Sequence, residues 1–386
     1  MIKTKNLVII GAGPSGLMAC VSAKIHNPEF QITILEKNSD IGKKLSLTGG
    51  GRCNLTVDVN NSEFFSGIYK NASFLFSSIY NFGPRDIMKF FESNNIKLKK
   101  EGPKVYLLSN DAKEIIKFFE NFIKNNGIKI IYNAHVNSID ITKSVLVFNN
   151  FEEINYDFTI ISTGGMTYKN TGSSGDGYTL AKSIGHNITN LMPAEIPLVS
   201  NDLFIQNKVL QGICVKNVEL SVKISEKKVY RVNGDLIFTH FGISGPASLM
   251  ISHKIVELLN IGHQFVDLLI NFLPNQNALK EQVDVVVLQK YLPKRLVSFL
   301  ESQTSFPSNV NYFNIRIVNT LSFDKAFVTN GGVNVLEVNS SNMKSKINPR
   351  ISFSGEILDV CGFTGGYNLT IAWSTGYLAG QKFAKK

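Results

Sequence analysis

The sequence predicts an α/β fold: a doubly wound parallel-sheet domain built from both ends of the chain and interrupted by an inserted domain. Three observations carry this reading. Apolar runs at Asn6–Ile10 and Gln31–Lys37 flank a glycine-rich turn and a small-residue helix, which makes a βαβ unit. From about Pro193 the texture changes to alternating apolar and polar residues. The buried-strand texture then returns at Arg350–Val360.

"NLVII" (Asn6–Ile10) is apolar throughout, as a strand buried on both faces must be. "GAGPSG" follows it, then "LMACVSAKIH" as a helix, then "QITILEK" as the second strand. In residues 111–127 the apolar Ile115, Ile116, Phe118, Phe119, Phe122 and Ile123 have helical spacing. Asn110 or Asp111 opens that helix and Gly127 stops it. Residues 128–140, 144–150 and 156–163 read as strands. Residues 212–240 read as antiparallel strands of a small barrel, 247–260 and 278–302 as helical, and 326–338 as strand-like. A glycine-containing helix is expected from 365 onward. The resulting division is a dinucleotide-binding part at 1–190 and 346–386, a barrel at 191–245 and 323–345, and a helical insert at 246–322.

Composition narrows the function classes. With 386 residues, 44% hydrophobic and 18% charged, the chain is globular and long enough for two or three domains. No apolar run reaches the roughly 18 residues of a spanning helix. Lys3 and Lys5 before an apolar stretch imitate a secretory signal, but Gly11, Gly13 and Gly16 interrupt it, and the chain reads as cytoplasmic. The net charge of +10 comes from lysines spread beside abundant Asn and Ile, so nucleic acid is not expected as a partner. Cys20, Cys53, Cys214 and Cys361 are far apart, which argues against a metal site and a disulfide framework.

"GAGPSG" has the G-x-G-x-x-G spacing between a strand and a helix. Gly11 allows the tight turn, Gly13 lets a pyrophosphate approach the backbone, and Gly16 lets helix and sheet pack closely. The helix N-terminus offers unpaired N–H groups to phosphate. Glu36 ends the second strand, where a carboxylate accepts from ribose hydroxyls. The dinucleotide is NAD(P) or FAD on this evidence alone. "IISTGG" (Ile160–Gly165) and "FSGEILD" (Phe353–Asp359) are placed as in FAD-binding folds of the glutathione-reductase type, with Glu356 and Asp359 as the acidic candidates. The helix after "TGGYN" would aim its N-terminus at the flavin. No second G-x-G-x-x-G follows a mid-chain strand, so no dedicated NAD(P) domain is visible.

The blocks "GKKLSLTGGGRCNLT", "STGGMTYKNTGSSGDGY", "PAEIPLV", "GDLIFTHFGISGPASLMIS", "AFVTNGGV" and "FSGEILDVCGFTGGYNLTIAWSTGYLAG" span nearly the whole chain. In them the chain resembles the bacterial flavoprotein family of aminoacetone oxidase and the BaiN-type bile-acid reductases. The resemblance implies non-covalent FAD on a glutathione-reductase-type domain carrying an inserted β-barrel and a small helical domain. It places the cofactor against Gly11, Gly13, Ser15, Gly16, Glu36, Lys37, Lys44, Gly50, Gly51, Arg52, Asn54, Val136, Thr163, Gly164, Gly165, Glu356, Asp359, Gly366, Tyr367 and Asn368. Arg52 is expected to face the pyrophosphate or the flavin, the alternative being a loop anchor. His240, Tyr168 and Tyr367 are candidate acids or bases, with a structural role as the alternative for each. Two stretches depart from the family pattern: Lys169 stands in place of a proline, and "PKVYLL" (Pro103–Leu108) in place of Arg-Val-Phe-Pro.

The implied activity is hydride transfer between an organic small molecule and flavin N5, aminoacetone-oxidase-like or enone-reductase-like. O₂ or a nicotinamide would be the electron partner, with NAD(P)H as a transient donor. The alternatives are an RNA-associated flavoprotein and a flavin-bearing binding protein without turnover.

Overall fold

The computed structural model describes residues 4–226, 228–274, 285–381 and 383. Lys3 and part of the expected helix at 278–302 (residues 278–284) lie outside them, as do residues 382 and 384–386. The chain divides into two compact units: one runs to Leu191 and resumes at Val328, and the other is Met192–Phe327.

The first unit opens with β1 (Asn6–Ile10), α1 (Pro14–His26) and β2 (Gln31–Leu35), the two strands parallel with Ile10 opposite Leu35. Leu7, Val8, Ile9 and Ile10 are all buried, as an apolar run without alternation requires. An antiparallel sheet follows, from β3 (Asn54–Val57), β4 (Leu98–Glu101) and β5 (Lys104–Leu107), with β5 in the middle. Helix α2 (Lys113–Asn125) buries Ile115, Phe119 and Ile123, one per turn. Asp111 Oδ1 accepts from the Lys113 N–H at 2.9 Å at its start, and Gly127 leaves it with φ of +64°. Then come β6 (Lys129–Ile131), a three-stranded meander of β7 (Val136–Asp140), β8 (Val145–Phe148) and β9 (Glu152–Asn155), and β10 (Phe158–Ile161).

The second unit is a closed six-stranded barrel. Its strands are β11 (Leu198–Ser200), β12 (Cys214–Ser225), β13 (Lys228–Phe238), β14 (Gly242–Ser244), β15 (Val266–Asn271) and β16 (Phe313–Thr320), and α3 (Pro246–Asn260) lies between β14 and β15. Their order around the barrel is β11-β14-β13-β12-β15-β16. This differs from the division read in the sequence. Residues 246–322 are not a helical insert, because two barrel strands come from them: Val266, Leu268 and Ile270 alternate inward on β15, and Phe313, Ile315 and Ile317 on β16. From Val328 onward, the stretch assigned to the barrel at 323–345 groups with the first unit. The described part of the helix expected at 278–302 is two short helices, Val285–Leu288 and Lys294–Glu301, with Pro293 opening the second.

The chain then returns to the first unit with β17 (Ile351–Phe353) and α4 (Tyr367–Gln381). The strand β17 pairs in parallel with β10 and completes a five-stranded sheet of order β17-β10-β1-β2-β6. Helix α4 lies against α1 so closely that a Cβ on Gly376 would stand 2.2 Å from the Ser15 carbonyl oxygen. No described helix is long and apolar enough to cross a membrane.

Candidate functional site

The site is built where β1, β2 and β10 of the parallel sheet end and α1 begins. In the Gly11–Gly16 turn, Gly11 has φ of +98° and a Cβ on Gly16 would stand 2.0 Å from the Gly11 carbonyl oxygen. A Cβ on Gly13 would meet nothing within 4 Å, so this side of the turn is open. Gly13 caps α1 without a side-chain hydrogen bond, and no acidic residue sits in the first turn. The N–H groups there are left for an anion. Ser15 Oγ donates to the Ser354 carbonyl at 3.3 Å, which ties this turn to the return segment.

Glu36 is buried and ends β2. Its Oε2 accepts from the Ala12 N–H at 2.8 Å, and its Oε1 from the Asn38 N–H and side-chain amide at 2.8 and 2.6 Å. A carboxylate has about four acceptor positions, so one remains for a ribose hydroxyl. Val136 begins the meander, buried, and the Ala134 N–H reaches the Glu36 carbonyl at 2.9 Å. Lys37 turns away to Asp176 and Ser174, both at 2.5 Å. Burial raises the Asp176 carboxyl, but the hydrogen bonds from Lys37 and Ser174 outweigh it and hold it below its usual range.

Buried hydroxyls of this turn's surroundings and of the loop after β10 test whether a polar ligand fits. Those of Ser162, Thr163, Ser173 and Ser354 have no hydrogen-bond partner. Ser162 Oγ is 3.1 Å from the Cβ position of Gly16, and Ser173 Oγ 3.2 Å from that of Gly164. An unpaired buried hydroxyl costs about 1–3 kcal/mol, so that of Ser162, beside Gly16, marks a place that a polar ligand completes. An adenine dinucleotide fits this donor set: phosphates at the α1 N-terminus and ribose at Glu36.

The acidic candidates of the second turn carry partners of their own. Glu356 accepts from Lys44 Nζ at 2.8 Å and from the Thr329 N–H at 3.0 Å. Lys44 also donates to Thr167 at 2.8 Å and lies 5.6 Å from the Tyr168 ring centroid. The loop at Thr163–Gly165 closes on this pair, with the Cβ position of Gly165 2.9 Å from Glu356 Oε1. Asp359 is buried and paired with Lys70 at 2.7 Å. Among these residues, sequence reading missed Asn38, Ser162, Ser173 and Ser354. The first is signalled only by standing two residues after Glu36, and the three serines by nothing local.

The "TGGGRCN" loop is tied to the β4–β5 hairpin. Gly49, Gly50 and Gly51 all have left-handed backbone, with φ of +59°, +69° and +88°, and Cys53 follows at +56°. Arg52 Nη1 meets both Glu101 carboxylate oxygens, at 2.9 and 3.1 Å, and its guanidinium stacks 4.2 Å from the Tyr106 ring centroid. Hydrogen bonds from Lys99 and Arg52 hold the Glu101 carboxyl below its usual range. The Arg52 charge is thus met within the chain by Glu101. Burial pushes the Cys53 thiol up to about 12, which leaves it a poor nucleophile.

Asn54, Gly366, Tyr367 and Asn368 come together where β3 meets the start of α4. Asn54 Oδ1 is 3.1 Å from the Cβ position of Gly366. Asn368 closes the turn by accepting from the Gly362 N–H at 3.0 Å and donating to its carbonyl at 2.8 Å. Tyr367 packs against Phe64, and burial raises its phenol, which keeps it protonated. Tyr168 is in left-handed backbone with φ of +58°. His240 lies in the second unit, exposed and edge-on to Phe241, and no described hydrogen bond holds its ring. No group of three or more His, Cys, Asp or Glu able to hold a metal occurs among the described residues.

The model of the HI0933-like protein Rossmann domain matches residues 5–382. The chain belongs to this family. It is 28% identical over 410 residues to the 3-dehydro-bile acid delta(4,6)-reductase of Clostridium scindens, with 98% of each chain covered. It is also 28% identical over 399 residues to the ribosomal RNA dihydrouridine synthase of Escherichia coli, with 97% of each covered. Among solved structures, 3-ketosteroid delta1-dehydrogenase from Sterolibacterium denitrificans shares the fold at a TM-score of 0.54 and 9% identity, over 98% of both chains. A quinol-fumarate reductase matches at 0.54 and 15% identity, over 98% of this chain and 71% of that one.

Proposed function

We propose that this FAD-dependent oxidoreductase reduces a carbon–carbon double bond conjugated to a carbonyl group. The observation that carries the reading is the near full-length similarity to two proteins whose names describe this one chemistry on different molecules. A delta(4) bond beside a 3-oxo group is an enone, and dihydrouridine is uridine with the ring double bond beside its carbonyl saturated. Either product needs a hydride at the carbon β to the carbonyl and a proton at the α carbon.

FAD supplies the hydride chemistry when bound. The chain's own residues do the rest. The Gly11–Gly16 turn and the α1 N-terminus receive the pyrophosphate, and Glu36 orients the ribose. Asn54 and the start of α4 hold the flavin end. Tyr367, kept protonated by burial, is the candidate proton donor. A small organic enone is the first choice of substrate. Uracil in RNA is the second reading, favoured by the net charge of +10.

The test is anaerobic. NADH or NADPH should bleach the FAD-loaded protein, and a 3-oxo-delta(4) steroid should restore the yellow colour with one equivalent of reduced product. Reoxidation by uridine-containing transcripts instead would select the RNA reading. Bleaching by aminoacetone with reoxidation only by O₂ would overturn reductase chemistry in favour of an oxidase.

A further inference from the structure

The hairpin β4–β5 carries three strand lysines, and one of them has no carboxylate. Lys99 pairs with Glu101 at 2.9 Å and Lys100 with Asp58 at 2.7 Å. Lys104 stands directly across the hairpin from Glu101, but that carboxylate is held by Arg52 and Lys99. Among the described residues no ion pair engages Lys104, which is half-buried. Its side chain runs to the turn before α4, with Cε 3.4 Å from the Cβ position of Gly365. The first N–H groups of α4 point out of the helix at the same place.

A third group faces this corner. Asn54 is 9% exposed, and its Oδ1 has no hydrogen-bond partner. It stands beside Gly366 at the helix start. The corner therefore combines a lysine and a helix N-terminus, which attract negative charge, with one buried acceptor that needs a donor. A phosphate or a carboxylate satisfies the first two and offers nothing to the third. An imide edge, with its carbonyl oxygen beside an N–H, satisfies all three.

We propose that Lys104 completes, with the α4 N-terminus and the Asn54 amide, a corner that receives the imide edge of the flavin and stabilises its reduced anion. Lys104 is thereby a residue that sets the reduction potential. This rests on the flavoenzyme reading. The isoalloxazine is neutral when oxidised and gains negative charge on that edge when reduced, so a cation there favours the reduced form.

The experiment compares FAD-loaded wild type, Lys104→Met and Lys104→Arg. Removing the cation should weaken the reduced form roughly tenfold relative to the oxidised one, a fall of about 30 mV in the two-electron potential. Sulfite, which adds to flavin N5 and leaves negative charge on the same edge, should bind about tenfold more weakly to Lys104→Met. Lys104→Arg should restore both. Lys104→Gln replaces Lys104→Met if the latter does not fold. An unshifted potential and sulfite affinity in a variant that holds FAD would overturn the assignment and leave the flavoenzyme reading intact. So would a defect confined to binding of uracil-containing RNA, since uracil carries the same imide edge. A wild-type protein that takes up no FAD would remove both.

Discussion

The chain has two glycine-rich turns in its first unit, and they use glycine differently. In Gly11–Gly16 each position has its own reason: Gly16 has a carbonyl where its side chain would be, while Gly13 faces open space. In Gly49–Gly51 the common factor is left-handed backbone, and the adjoining arginine is committed to Glu101 and Tyr106. The spaced glycines thus leave one side of their turn open, whereas the adjacent glycines share a left-handed backbone.

Four substitutions break or sharpen this contrast. Gly16→Val should have the largest effect, because the obstructing atom is backbone and cannot swing aside. We expect the ligand-free protein to lose more than about 3 kcal/mol, read as a lowered or vanished melting transition. Gly13→Val should behave oppositely. The side chain fits the empty turn, so the ligand-free melt should move by less than about 0.5 kcal/mol, while FAD binds on the order of a hundredfold more weakly by titration. A Gly13→Val protein that keeps full FAD affinity would remove the pyrophosphate from this turn.

Gly50→Ala comes third. Its Cβ enters open space, so only the left-handed backbone is penalised, by about 1 kcal/mol of stability, with FAD affinity changed by less than about twofold. Arg52→Ala should be smallest. An exposed ion pair contributes little, and FAD affinity should stay within about twofold of wild type. A tenfold loss of FAD affinity in either variant would show that the second turn also serves the cofactor, and the contrast would collapse.

Much of the first unit was legible because its signals are local. The apolar run Leu7–Ile10, the three spaced glycines and Glu36 lie within one stretch of chain, and each acts on its neighbours. The pairing of Arg52 was not legible because its partner Glu101 comes from another hairpin, and nothing in "GGGRCN" names it. The barrel was half read. The long hairpin β12–β13 alternates plainly, whereas β15 and β16 are short and lie among helix-like sequence, although Phe313, Ile315 and Ile317 do alternate. The hydroxyls of Ser162 and Ser173 were invisible for another reason. Their meaning is that they lack partners, and that is a property of the folded surroundings.

The contact between α1 and α4 carries a consequence for biosynthesis. Helix α1 leaves the ribosome well before its partner, because Ser15 meets Gly376, about 360 residues further along the chain. The parallel sheet likewise waits for β17. At elongation rates of about 5–20 residues per second the interval is on the order of tens of seconds. The barrel unit, by contrast, is contiguous in the chain and can close while the ribosome is still working. During that interval the face of α1 that α4 covers has no native partner, so the nascent chain is exposed to chaperones and proteases over that segment.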